Sequence, residues 1–207
     1  MKKTIIDLSL QFKSGMQKYS SKHPTVKITK TATHKKDKRE IRKIIIGSHS
    51  GTHVDAPIHF CKDTFTIDKF PAKHFIGKAI LLNFVSKKKR SEISLSELKS
   101  KLNNTKVEDK ILIFRFDWTD RYYGKKNFYT DHPYLSSESC RWMVKNKIRF
   151  IGLDSPQPDN PNDKNIMNDG INHKILLSNN ILIVEYLTSL KKIKKKNFLF
   201  CGAPIKY

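Results

Sequence analysis

The sequence predicts an α/β fold, a strand-rich sheet accompanied by only a few helices, and two observations carry that expectation. Eight short apolar runs, most of them rich in β-branched residues, recur along the 207-residue chain. Three amphipathic stretches with polar starts lie among them, so strands and helices share one layered architecture around a single sheet or a strongly curved, barrel-like one. The hydrophobic content of 38% is low for a globular protein, yet it is concentrated in these runs rather than spread. One domain over residues 1–207 is expected, since this length suits a single sizeable core and no linker or repeat divides it.

In chain order, IIDLSL predicts a strand over 4–10, VKITKT one over 26–31 and IRKIII one over 41–46. The run AILLNFV extends the next strand over 78–86. SLSELKSKL then predicts a helix over 94–102, because serines precede Leu95, Leu98 and Leu102 at helical spacing. A strand over 110–116 (KILIFRF) follows, then a helix over 136–147 that has a serine start and Glu138 in its first turn. IRFIGL predicts a strand over 148–153. SPQPDNPNDKNIMNDG, with three prolines among Asn and Asp, makes 155–170 a long loop of the kind that is usually functional or mobile. A third helix over about 169–178 carries His173, and strands over 181–187, bearing Glu185, and 198–201 complete the set. Most strands read as buried on both faces, being continuously apolar rather than alternating.

Charge and cysteines exclude several classes. Cys61, Cys140 and Cys201 are an odd number without CxxC spacing, which argues against a disulfide framework and against a cysteine zinc site. No run is long enough to span a bilayer, and Asp7 interrupts the N-terminal apolar stretch where a secretory signal would have to continue. A cytoplasmic protein without membrane association is therefore expected. The net charge of +22 invites a nucleic-acid partner, but lysine greatly outnumbers arginine. Lys35-Lys36, Lys87 to Arg90 and Lys191 to Lys196 are scattered between elements, with no recognition motif beside them. The richness in Asn, Ile and Lys fits the codon bias of an AT-rich genome, so a solvated surface is the expectation and a basic binding protein the competing one.

The stretch SHSGTHVDAPIHF, Ser48 to Phe60, places His49, His53, Asp55 and His59 within thirteen residues. Fully extended, His49 and Asp55 would stand roughly 20 Å apart, so a shared site requires the chain to turn. Gly51 permits such a turn, and an i, i+4 pair such as His49 and His53 meets on one face of a helical turn. Imidazoles and a carboxylate are the donors that borderline divalent metals favour, which makes this a candidate metal site.

That stretch resembles the HxGTHxDxPxH signature of the metal-dependent cyclase family, which includes bacterial-type kynurenine formamidases (arylformamidases) and isatin hydrolases. The resemblance runs through IIDLSL at 5–10, FTIDKFPAKHFIGKAILLNF at 65–84, LSSESCRWMVKNKIRFIGLDSPQPD at 135–159 and HKILLSNNILIVEYLTSL at 173–190. It implies a swivelling β/β/α fold and a homo-oligomer, dimer or tetramer. It also implies a divalent metal, Zn2+ or alternatively Mn2+, with one or two ions per chain. His49, His53, Asp55, His173 and Glu185 are then the metal residues, with Asp55 able to bridge two ions, and His59 is the catalytic histidine. The implied activity is hydrolysis of a small-molecule amide, with formamides of the N-formylkynurenine type leading and lactams such as isatin next. Family members usually run on past the segment resembling GAPIKY into a Gly- and Asp-containing tail.

Three minor readings accompany these. Phe60, Phe65, Trp118, Tyr122 and Tyr123 are candidates for a pocket wall or for core packing, and Arg115 and Arg121 for pairing a substrate carboxylate. Asp154, Ser155 and Asp159 suit turn formation or support of the site.

Overall fold

A computed structural model describes residues 4–163 and 170–207. Its centre is a six-stranded sheet in the order β10-β4-β6-β8-β9-β3, built from β3 (His53–Asp55), β4 (Ile76–Asn83), β6 (Ile111–Arg115), β8 (Phe150–Leu153), β9 (Leu182–Glu185) and β10 (Asn197–Cys201). The four inner strands are parallel, whereas β10 and β3 close the two edges antiparallel. Parallel neighbours need crossover connections. Here α2 (Leu95–Leu102), α4 (Ser137–Lys145) and α5 (Ile171–Leu177) lie in those crossovers.

The apolar runs become strands because both faces of the inner sheet are covered. On β6, Leu112 and Phe114 enter one core with Leu98 of α2, Met143 of α4 and Leu176 of α5, whereas Ile111 and Ile113 enter a second core with Phe75, Phe150 and Phe200. The two cores explain why the run is continuously apolar. The serine starts also hold. The Ser94 hydroxyl accepts from the Glu97 N–H while Glu97 accepts from the Ser94 N–H, and the Ser136 hydroxyl accepts from the Ser139 N–H.

Two expectations are corrected. Residues 4–10 form no strand; the segment is held by isolated bonds, from the Thr188 N–H to the Leu8 carbonyl (3.0 Å) and from the Leu10 N–H to the Thr52 hydroxyl (2.8 Å). Most strands are expected to be buried, but among the described residues β1 (Lys27–Ala32) and β2 (Ile41–Ile45) pair only with each other as a two-stranded ribbon, with Ile41, Ile44 and Ile45 exposed. β-branching suits their extended backbone, but β2 is exposed along its whole length and β1 is buried only at Ala32. The loop expected at 155–170 holds through 163, with no helix or strand, and its first part, residues 155–159, is buried. The remainder, 164–169, and with it the first residue of the helix expected at 169–178, lies outside the described residues.

Further short elements escaped the sequence reading: α1 (His34–Asp37), α3 (Trp118–Tyr122) and a parallel pair, β5 (Glu92–Ile93) with β7 (Tyr134–Leu135), which leads into α2 and α4. Among the described residues no helix is long and apolar enough to cross a membrane.

Candidate metal centre

The signature stretch turns and then runs straight. Residues 48–52 form a turn in which Gly51 takes φ +61°, a conformation that glycine reaches without Cβ strain. The chain then enters β3, and Pro57–His59 makes one 3-10 turn. His49 and His53 do meet, with ring centroids 4.9 Å apart, but through a turn followed by a strand rather than on one helical face. On β3, His53 and Asp55 share a face by the two-residue period of a strand, and His53 is paired with Glu185 of β9.

The donors converge. His49 Nδ1 lies 2.8 Å and His53 Nε2 3.2 Å from Asp55 Oδ1, while His53 Nε2 is 3.5 Å from Glu185 Oε2. From the helix side, His173 Nε2 stands 3.5 Å from Asp55 Oδ2 and 3.3 Å from Glu185 Oε1. Two groups of three residues, His49 with Asp55 and His59, and His53 with Asp55 and Glu185, can each bring donor atoms within 4.8 Å of one another, and Asp55 belongs to both. All six candidate residues are thus brought together.

Whether a cation fits is answered by the hydrogen bonds these groups lack. Among the described residues, buried side-chain atoms without a hydrogen-bond partner are His53 Nε2, both Asp55 carboxylate oxygens, Glu185 Oε1 and, elsewhere, His74 Nε2. Buried polar atoms are nearly always satisfied, so four orphans facing one point mark a place for a ligand that accepts lone pairs. The imidazoles are also oriented for this. His53 Nδ1 donates to the Gly51 carbonyl at 2.8 Å, and His173 Nδ1 donates to the Asp159 carboxylate, which leaves Nε2 of each ring toward the centre. The donor set fits a divalent cation.

The electrostatics agree. Burial presses the His53 imidazole downward, but the Asp55 and Glu185 carboxylates outweigh it and raise its pKa to about 9. His173 is raised well above the ordinary value, with Asp159, Asp55 and Glu185 overcoming burial. Asp55 is held well below the carboxylate range, since His53, His173 and His49 outweigh its burial, whereas burial and the Asp55 charge raise Glu185. This anionic pocket thus holds protons where a divalent cation would otherwise supply the charge. His59 behaves differently: burial, reinforced by His49, His173 and His53, lowers it to about 4 against the opposing pull of Asp55. His59 is exposed on the rim, with its ring 3.9 Å from that of His49, and it is a neutral imidazole at pH 7.

Other side chains complete the surroundings. Phe60 stacks on His173 at 4.4 Å and 20°, and a Cβ at Gly170 would meet the Phe60 ring at 2.2 Å, so glycine is needed where the chain enters α5. Phe60 therefore borders the centre, whereas Phe65 is exposed and Trp118 is core, its indole N–H donating to the Phe128 carbonyl at 2.9 Å. Arg115 and Arg121 are already paired with Asp117, at 2.7 and 3.7 Å, and do not face the centre as candidate carboxylate clamps. Asp154 ties the end of β6 by accepting from the Phe116 and Asp117 N–H groups, both at 2.7 Å. Asp159 does more than turn the chain, as it also caps α5 from a distance by accepting the Asn172 N–H at 2.7 Å. Sequence reasoning missed Tyr186, whose ring lies 5.5 Å from His53 and which adopts φ +57° directly after Glu185. An aromatic residue ending an apolar strand gives no signal of that kind.

Known proteins resemble this chain in both sequence and fold. A family model described as putative cyclase matches residues 6–160. Kynurenine formamidase of Erythrobacter litoralis is 22% identical over 166 residues, covering 80% of this chain and 70% of that protein. Kynurenine formamidase of Geobacillus thermodenitrificans is 28% identical over 119 residues, 58% of this chain, and the match spans about half of that relative, 53%. Among solved structures, isatin hydrolase A from Ralstonia solanacearum superposes with a TM-score of 0.85 at 17% identity, covering 98% of this chain and 86% of that one, a likeness of fold.

Proposed function

This chain belongs to the cyclase family, and from that membership and its buried donor cluster we propose that it is a metal-dependent hydrolase of amide C–N bonds, with formamides of the N-formylkynurenine type as leading substrates. The single observation that carries the reading is the set of four unsatisfied buried donor atoms on His53, Asp55 and Glu185. The relatives named kynurenine formamidase support the formamide, and the fold neighbours named isatin hydrolase support a lactam as the alternative. We assign His49, His53, Asp55, His173 and Glu185 to one or two ions, zinc by preference for imidazole and carboxylate donors and manganese as the alternative.

A divalent cation held there supplies Lewis acidity toward the substrate carbonyl and lowers the pKa of water toward neutrality. The chain does the rest. Gly51 and Asp159 fix the two imidazoles on β3 and α5 in the tautomer that points Nε2 inward. His59, neutral and on the rim, accepts a proton from the attacking water and returns it to the leaving nitrogen, so formamide and water become amine and formic acid. Residues 1–207 act as one hydrolase domain in this reading, supported by the six-stranded sheet, which joins strands as far apart in the chain as β3 and β10. It also includes a homo-oligomer, for which the uncovered isoleucines of β2 are the support, and a cytoplasmic location.

The test is metal content per chain by elemental mass spectrometry, with turnover of N-formylkynurenine and of isatin before and after chelation. Metal at one or two ions per chain with chelator-sensitive hydrolysis of the formamide is the expected result. Hydrolysis of isatin alone would move the substrate class to lactams, and failure to load zinc or manganese would overturn the metal centre.

A further inference from the structure

The pairing of His53 with Glu185 is flanked on one side by a second tie between the same two stretches of chain. One residue before His53, the Thr52 hydroxyl donates to the Tyr186 carbonyl at 2.7 Å, and Tyr186 is the residue immediately after Glu185. The same oxygen accepts the Leu10 N–H at 2.8 Å, so it is satisfied as both donor and acceptor. Three segments meet at this one atom: the N-terminal stretch, the turn into β3 and the exit from β9. Tyr186 needs holding, because its φ of +57° is a left-handed conformation that side-chain-bearing residues seldom adopt. The inward direction of Glu185 depends on how the backbone leaves the sheet at that point. Register matters as much, because β3 is only three residues long and a slip of one position would present Val54 to the centre in place of His53 and Asp55.

We propose that Thr52 is a positioning residue for the metal centre, its hydroxyl tying together the two backbone segments that carry His53 and Glu185. The inference rests on the metal-site reading above. It assigns no contact with metal or substrate to Thr52. The β-branched side chain suits the task, because its restricted rotamer holds the hydroxyl in one direction.

The experiment compares full-length wild type, Thr52→Val and Thr52→Ser. Zinc affinity is measured by competition with a chromophoric chelator, the visible spectrum of the Co2+-loaded proteins is recorded, and thermal unfolding of the metal-free proteins is followed. Valine preserves shape and loses the hydroxyl, so Thr52→Val is expected to bind zinc about 10- to 100-fold more weakly, as for other groups that orient metal ligands, with an altered Co2+ spectrum. Thr52→Ser restores the hydroxyl and is expected to return both readouts toward wild type. Wild-type affinity in Thr52→Val, or equal loss in Thr52→Ser, would overturn the assignment while leaving the metal centre in place. A wild-type protein that binds no zinc would instead overturn the metal-site reading, and this inference with it.

Discussion

Asp159→Asn isolates what one carboxylate contributes to the centre. In the wild type, Asp159 accepts the Nδ1–H of His173 and, through its other oxygen, the Asn172 N–H at 2.7 Å. Asparagine keeps an oxygen for the helix start but removes the charge behind the imidazole. The ring, still stacked on Phe60, loses the partner that makes Nε2 a better donor and fixes its tautomer. Loss of such a partner typically weakens metal binding 10- to 100-fold, about 1.4–2.7 kcal/mol. Asp159→Ala should show the same loss of affinity and, in addition, unfold more easily by about 1 kcal/mol, because the cap on α5 goes too. The assay is zinc competition with a chromophoric chelator, with denaturant unfolding of the metal-free proteins alongside. Unchanged zinc affinity in Asp159→Asn would refute the idea that this carboxylate orients His173. Equal unfolding free energies for the Asn and Ala variants would refute the capping role.

The other predictions concern separate parts of the molecule. His53→Ala should lose most bound metal and all turnover, whereas His59→Ala should keep its metal and lose turnover, as read by elemental analysis and the formamidase assay; lost metal in the second variant would make His59 a ligand. His132 is fully buried, and burial lowers its pKa to about 4 against the hydrogen bond to the Pro133 carbonyl and the charges of Asp159 and Asp131. The unfolded chain takes up a proton near pH 6.5 and the folded one only near pH 4, so stability is complete above pH 6.5 and falls by roughly 3 kcal/mol on acidification to about pH 4. His132→Gln should remove that part of the slope in unfolding measured against pH, and an unchanged slope would contradict the assignment. Lys194→Ala and Lys195→Ala alter exposed side chains and should leave turnover unchanged; a large fall would give the basic surface a catalytic role that the centre does not predict.

How much of this was legible in the sequence depended on distance along the chain. The run Ile111 to Phe114 announced a strand buried on both faces because each residue has an apolar neighbour on its own side of the sheet. Ser94 and Glu97 announced a helix start because the bonds that make it are three residues apart. β3 could not be read, since three residues, two of them polar donors, carry no apolar pattern. Residues 4–10 misled for the opposite reason, being apolar enough for a strand yet anchored by isolated bonds. In the site, His49, His53, Asp55 and His59 were visible as a local cluster, but His173 and Glu185 could be attached to it only through family resemblance. The support given by Asp159 and Thr52 depends on partners far away in sequence, 134 positions in the case of Thr52 and Tyr186, and no local rule reports such a bond.

The placement of β3 at the far edge of the sheet has a consequence for the order of assembly. This strand is synthesised early, but its one sheet partner among the described residues, β9, comes after all of the parallel crossovers. Closing that span has to await the inner strands, since the chain entropy of bringing such distant segments together is repaid only when β9 already has β8 to lie against. Donors from β3, α5 and β9 therefore come within reach of one another only at the last stage of folding. An ion captured there would report a finished chain, and its binding energy would act on the edge of the sheet formed by the three-residue strand β3.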